Sequence, residues 1–173
     1  MRRLLVLLVL VLSASGLAKA QSGDTPPVEV FAGGGIMRND ATTGNTLFGG
    51  LQFGGNYNFR DHIGATADLS WEHRSIVGVG VSQWHYLFGP TFSSRRDRAT
   101  LFAHVLIGGN SFRAAGGSVN GFAMGLGGGV DYNATHRIAI RAFQVDYLPS
   151  RLSGTWFNDL RVGGGIVFKL GGR

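Results

Sequence analysis

The sequence has no cysteine and only four prolines in 173 residues. Without cysteine, the chain can form neither disulfides nor a thiolate metal site, and it has no thiol nucleophile. Four prolines without a Gly-X-Y period exclude collagen and a disordered chain rich in proline and glycine. A small exported domain often depends on disulfides for stability, so a chain of this kind needs another source of stability.

Long hydrophobic runs are missing beyond the first 20 residues, so no membrane-spanning helix is predicted. The chain begins Met1-Arg2-Arg3, continues as an apolar run through Leu12, and reaches the small-residue site Ala18-Lys19-Ala20. This order of segments is typical of a cleaved secretory signal peptide. We therefore predict a signal peptide over residues 1–20, a short lead-in over 21–26 and one folded domain over 27–173.

A strong excess of basic residues is also absent once the leader is removed. The chain has 16 Lys and Arg against 10 Asp and Glu, but three of the basic residues (Arg2, Arg3 and Lys19) belong to the leader. The remaining excess predicts no nucleic-acid partner. The five histidines lack the close spacing of metal ligands, and no helix follows the glycine runs to bind a phosphate. No cofactor, metal site or catalytic residue is predicted.

Glycine and two-residue alternation are abundant. The 29 glycines are more than twice the number expected at the ordinary usage of about 7 %. Between His62 and Glu72 one face is wholly apolar and ends in Trp71, whereas the other carries Asp68 and Glu72. This alternation indicates a half-buried strand, and a helical period is almost absent from the chain.

Eight such strands are predicted. Short polar connections near residues 58–61, 94–98 and 133–135 alternate with longer ones at 38–45, 75–78, 110–118 and 148–157. This asymmetry is typical of an outer-membrane barrel, with short turns on one side and long loops on the other. The predicted fold is all-β: an eight-stranded antiparallel up-and-down transmembrane β-barrel with both termini in the periplasm. The predicted strands cover 27–37, 46–59, 62–74, 79–93, 99–109, 119–133, 136–147 and 158–170.

Aromatic residues share the apolar face and gather near the two ends of the strands. Rings at both ends of an aliphatic band are favoured at membrane–water interfaces. The same rings could also fill the core of a soluble β-sandwich. We prefer the barrel to this alternative. The turn-side girdle is predicted from Tyr57, Phe59, Phe92, Tyr132 and Phe168, and the loop-side girdle from Trp71, Trp84, Tyr147 and Trp156.

The opposite face carries small and polar residues, so we expect it to line the lumen. Five charged or titratable side chains are predicted to form a lumen network: Asp68, Glu72, His104, Arg141 and Arg161. We expect Asp68 to pair with Arg141, and the paired charges to fill the lumen, because desolvated charges require partners. Asp146 has outward parity on a regular strand and is expected to be solvated, unless a bulge near Ala142-Phe143 reorients it. The run Arg95-Arg96-Asp97-Arg98 is expected to be a solvated turn.

The chain carries a family resemblance over nearly all of residues 27–170. Gly49-Gly50-Leu51-Gln52-Phe53-Gly54-Gly55-Asn56-Tyr57-Asn58-Phe59, followed by His62-Ile63-Gly64-Ala65-Thr66-Ala67-Asp68, resembles the second hairpin of OmpA-like small outer-membrane barrels of the porin family. Three further segments are similar to the family's later strands: Phe88-Gly89-Pro90-Thr91-Phe92, residues 141–147, and the closing Gly163-Gly164-Gly165-Ile166-Val167-Phe168-Lys169-Leu170. The resemblance implies a monomeric protein of the cell outer membrane, whose partners are outer-membrane lipid and the barrel-assembly machinery.

Three alternatives to a structural or surface-interaction role are open. A narrow passive pore would need a lumen that conducts, and a secreted soluble carrier would need an apolar interior and a charged exterior. A lipid-modifying hydrolase would need a nucleophile, a base and an orienting acid together. His73 and Ser75 share one face of their strand, but Glu72 points to the other, so we expect no enzyme.

Overall fold

The computed structural model describes residues 25–40, 46–76 and 78–171. The predicted signal peptide over 1–20 and most of the lead-in, residues 21–24, lie outside the described residues. No helix in this part of the chain is long and apolar enough to cross a membrane.

Eight antiparallel strands form one closed barrel, in which each strand pairs with the next and β8 pairs with β1. The predicted fold class is therefore confirmed. The strands are β1 (Val28–Asn39), β2 (Thr46–Arg60), β3 (Ile63–Ile76), β4 (Val79–Arg95), β5 (Ala99–Ala114), β6 (Gly117–Asn133), β7 (Ile138–Leu152) and β8 (Thr155–Leu170).

Glycine closes the seam between the first and last strands. Three glycines of β1, residues 33–35, pair with three of β8, residues 163–165. A Cβ atom on Gly34 would lie 2.9 Å from the carbonyl oxygen of Gly50, and one on Gly163 would lie 2.9 Å from that of Gly34. Larger residues would force these backbones apart, which explains why so much glycine appears in the strands.

The two faces of the barrel wall differ in polarity. Phe53, Leu69 and Tyr86 are register neighbours on β2, β3 and β4, and all three are exposed on the outside. The residues beside them in sequence, including Gln52, Asp68 and His85, are buried in the lumen. An apolar exterior around a polar interior is the arrangement of a membrane barrel and the reverse of a soluble carrier.

The nine aromatic residues proposed for the girdles all lie on the outward face. We call the end of the barrel where β1 begins and β8 ends the turn side. The girdle residues of this end pair with the first residues of β1, β3, β5 and β7, and they include Tyr57, Phe92, Tyr132 and Phe168. At the opposite end, the loop side, Trp71 of β3 pairs with Trp84 of β4, and their ring centroids are 6.2 Å apart.

The prediction of longer loops on the loop side is wrong for three of the four connections, because β3 and β4 too are separated only by residues 77–78. Only residues 115–116 separate β5 from β6, and only 153–154 separate β7 from β8. Both turns have positive φ at both positions: 50° and 80° at Ala115 and Gly116, and 48° and 88° at Ser153 and Gly154. Two successive positive φ values define a type I′ turn, which matches the twist of paired strands, so the hairpins continue to their tips.

Candidate functional site: the barrel lumen

Arg161 lies at the centre of the lumen and contacts three carboxylates. This β8 side chain is 4 % exposed. Its Nη2 donates to Asp68 of β3 at 2.9 Å and to Asp146 of β7 at 2.7 Å, and its Nε donates to Asp146 at 3.0 Å. Its Nη1 lies 3.7 Å from a carboxylate oxygen of Glu72. One guanidinium therefore links β3, β7 and β8 across the barrel.

Asp146 is buried, at 1 % exposure, and the expectation that it is solvated is wrong. The pairing of β7 with β8 shifts register between Arg141 and Gln144, so the bulge suggested near Ala142-Phe143 is present. A bulge inserts one unpaired residue and reverses the parity of every residue beyond it. Asp146 consequently points inward and receives further hydrogen bonds from Gln144 at 2.7 Å and His104 at 2.9 Å.

The proposed pair between Asp68 and Arg141 is wrong. Arg141 instead forms a bidentate ion pair with Asp131 of β6, at 2.8 and 3.1 Å. Its guanidinium carbon also lies 4.3 Å from the ring centroid of Phe31 and 4.1 Å from that of Phe102, within cation–π range. The tilt of the strands shifts residues at equal distance from their turns to different heights, so Asp68 faces Arg161 instead.

A second arm of the network runs from Glu72 toward the loop side. Glu72 lies 3.3 Å from Nδ1 of His85, whose Nε2 lies 3.1 Å from the amide of Gln83. Gln83 donates to Asp159 at 3.1 Å and accepts from Asn39 at 2.6 Å. The predicted lumen network did not include Asn39, Gln83, His85 or Asp159. Their shared inward parity was the available signal.

The described polar contacts join into one chain from the turn side to the loop side. It contains two arginines, Arg141 and Arg161, against five carboxylates, namely Asp68, Glu72, Asp131, Asp146 and Asp159. Each of the two histidines contacts one of these carboxylates. Buried charges of both signs in mutual contact lock the strands in register, because each loses its compensation if its partner moves.

Apolar side chains occupy much of the loop-side half of the lumen. The sequence predicts small and polar residues there and does not predict this apolar cluster. Met37, Phe48, Val81, Leu106 and Leu148 form a buried cluster there. In the turn-side half, a cavity of about 40 Å³ is lined by residues that include Thr66, Asp68, His104 and Arg141. That volume holds a few water molecules. The lumen therefore has room for water in its turn-side half and is packed with side chains toward the loop side.

Arg95 is not part of a solvated turn, contrary to prediction. It ends β4 at the turn-side mouth, where it donates to Asn58 at 2.9 Å, lies 3.3 Å from Glu29, and also donates to the carbonyl oxygen of Asp61. Arg96 and Arg98 remain exposed. β4 continues through Arg95, which lies on the inward face of the strand, so its side chain enters the mouth of the barrel and is not exposed in the turn.

The residues considered for hydrolase chemistry do not come together. His73 is exposed and its ring stacks on Trp71 with centroids 5.6 Å apart, whereas Glu72 is buried against His85 on the other side of the wall. No group of three His, Cys, Asp or Glu side chains among the described residues has the arrangement of a metal site.

Gly127 tests how tightly the network is packed. A Cβ atom there would overlap the Asp146 carboxylate and approach the carbonyl oxygen of Val145 to 2.6 Å. We expect Gly127→Ala to lower the free energy of unfolding by about 1–3 kcal/mol, as overpacking does in a filled interior. Urea unfolding in detergent micelles measures the change. Gly55→Ala is the control, since nothing lies within 4 Å of its Cβ position; equal losses in both would contradict the packing argument.

No family model matches the chain, and no curated protein matches it. Among solved structures, it is similar to Neisserial surface protein A, with 12 % identity, a TM-score of 0.64, and coverage of 83 % of this chain and 97 % of that chain. OprG from Pseudomonas aeruginosa matches with 12 % identity, a TM-score of 0.57 and coverage of 88 % and 99 %. Ail of Yersinia pestis matches with 15 % identity, a TM-score of 0.52 and coverage of 82 % and 96 %. This chain therefore has the fold of the small eight-stranded outer-membrane β-barrels.

Proposed function

We propose that the protein is an integral outer-membrane protein with a membrane-structural or surface-interaction role, and that its lumen is filled by the ion-pair network. One observation carries the proposal: an exposed apolar band, bordered by aromatic residues, surrounds an interior in which charges contact each other. Exposed hydrophobic residues all around a barrel are stable only in contact with lipid.

The packing of the lumen favours this role over that of a passive pore. Arg161 extends across the interior to carboxylates on two other strands, and the cluster around Leu106 fills the space toward the loop side. A solute entering the turn-side cavity would have to break ion pairs and displace buried apolar side chains. Both steps cost free energy. The first leaves buried charges without their ion-pair partners, and the second removes buried apolar side chains from their packing contacts.

The loop-side hairpins support a surface-interaction role. β5 and β6 are 16 and 17 residues long, whereas about 9–11 residues cross the hydrocarbon. The strands therefore extend beyond the hydrocarbon core and remain paired to the tips of the hairpins. Ail, a solved barrel with the same fold, is named as an attachment invasion locus protein and has been crystallised with the heparin analogue sucrose octasulfate.

Two measurements on the folded protein test the proposal. We expect heat-modifiable gel mobility in detergent extracts of the membrane fraction, which a soluble carrier would not show. In planar bilayers we expect wild-type conductance to be small and to rise when Arg161→Ala removes the central guanidinium. Recovery of the protein in the soluble periplasm would overturn the membrane role, and large, steady wild-type conductance would establish the pore instead.

A further inference from the structure

The turn-side end of the barrel carries a cluster of exposed arginines. Arg96 and Arg98 lie in the connection between β4 and β5, and Arg137 lies in the connection between β6 and β7. Because β5 and β6 are adjacent strands, these two connections are neighbours at the end of the barrel. The three arginines therefore lie on one side of the turn-side mouth.

Asn133, the last residue of β6, ties the two connections together. Its backbone N–H donates to the carbonyl oxygen of Arg98 at 2.9 Å, and its side-chain amide donates to that of Arg96 at 3.2 Å. Its side-chain oxygen accepts from Nζ of Lys169 at 2.6 Å, and the backbone N–H of Lys169 donates to the carbonyl oxygen of Arg137 at 2.8 Å. The backbone of all three arginines is thus held in one hydrogen-bonded frame before any partner binds.

Positive charge is in excess on this frame. None of its three arginines forms an ion pair within the described part of the chain. Among the described residues, Asp61 and Asp97 are the exposed acids at the turn side. Asp61 lies next to Arg60 in another connection and accepts from Thr25 at 2.9 Å. Asp97 therefore offsets one of the three charges, and an excess of two remains.

The position of the frame favours a partner in the aqueous phase over a lipid. Tyr132 and Phe168, which immediately precede Asn133 and Lys169 in sequence, are exposed on the outward face and belong to the turn-side girdle. Such aromatic residues lie at the membrane–water interface. The three arginines lie beyond the ends of the strands, in the connections, and not on the outward face. They are therefore on the water side of the girdle, at the end of the barrel that faces away from the bilayer.

We propose that the basic frame, defined as Arg96, Arg98 and Arg137 held by Asn133, binds a carboxylate-rich peptide segment of a periplasmic partner protein. Guanidinium groups bind carboxylates through two parallel hydrogen bonds, so arginines suit acidic side chains. A backbone that is already fixed lowers the ordering cost of binding. The inference rests on the proposed outer-membrane role, which places the turn side in the periplasm.

A fluorescently labelled oligoglutamate peptide is the probe, titrated into the folded protein in zwitterionic micelles and followed by fluorescence anisotropy. We expect saturable binding that weakens as salt is added, because charges at a surface are screened. Combining Arg96→Gln, Arg98→Gln and Arg137→Gln should weaken the affinity about tenfold, as expected for the loss of three surface ion pairs. Asn133→Ala keeps every charge but removes the side-chain links of the frame, and should weaken the affinity by a smaller factor.

The matched control removes three charges from the opposite end of the barrel, by Arg38→Gln, Arg113→Gln and Arg151→Gln, and should bind the peptide as the wild type does. Equal weakening in both triple variants would overturn the site in favour of unspecific charge attraction. Wild-type affinity in Asn133→Ala would overturn the role of the frame.

Two competitors test the class of partner. Phosphatidylglycerol mixed into the micelles at the concentration of the peptide should not displace it, and displacement would assign the arginines to a lipid surface. Tighter binding to isolated cell-wall polymer than to the peptide would replace the protein partner with the wall. Heat-modifiable mobility is checked first in every variant, so that failure of the outer-membrane role is seen separately from loss of peptide binding.

Discussion

Arg161→Ala lowers the free energy of unfolding by about 3–5 kcal/mol, the cost of removing one partner from a buried ion pair. The guanidinium contacts Asp68, Glu72 and Asp146, which are all buried, so its loss leaves three carboxylates without their shared cation. Urea unfolding in micelles, followed by tryptophan fluorescence, measures the loss. Arg137→Ala, an exposed arginine in a turn-side connection, is the control and should change stability by less than about 0.5 kcal/mol.

A double-mutant cycle separates this ion pair from general loss of packing. The double variant Asp146→Ala, Arg161→Ala should lose less free energy of unfolding than the sum of the two single variants. Each single substitution leaves the other residue's charge buried without its partner, and the double variant removes both charges. Strictly additive losses would show that the two residues do not interact. Arg161→Lys should recover only part of the stability, since an ammonium group cannot reach Asp68 and Asp146 in the same planar geometry.

Leu69→Arg lowers stability by about 2–4 kcal/mol if its side chain meets the middle of the bilayer. Leu69 lies halfway along β3, points outward, and is flanked by Phe53 of β2 and Tyr86 of β4. An arginine there would place a charge among hydrocarbon chains. Unfolding from lipid vesicles, with gel mobility as the readout of the folded fraction, measures the effect.

Depth provides the control for this experiment. Phe59→Arg, at the turn-side interface, should cost only about 0–1 kcal/mol, because a charge near the bilayer surface remains hydrated. Leu69→Ala should be milder than Leu69→Arg, since it removes apolar contact without introducing charge. If Leu69→Arg and Phe59→Arg were equally mild, the outward face would not meet lipid.

Alternation within each strand made the fold accessible from the sequence. Successive side chains of a strand point to opposite faces, so the apolar Leu69 and the polar Asp68 had to lie on opposite sides of the wall wherever the strand paired. The same period placed the girdle aromatics outside, and Glu72, His104 and Arg161 inside. The count of eight alternating segments then predicted a closed barrel, because a membrane tolerates no open sheet edge.

The partners inside the lumen depended on tertiary structure. Strand tilt placed Arg161, and not Arg141, opposite Asp68, and the bulge between Arg141 and Gln144 turned Asp146 from the lipid face into the centre of the network. The two type I′ turns likewise extended the hairpins through segments that had the composition of loops. Each strand carries its own period of two in its sequence. Register, tilt and bulges arise only from the joint packing of all eight strands, so no single segment encodes them.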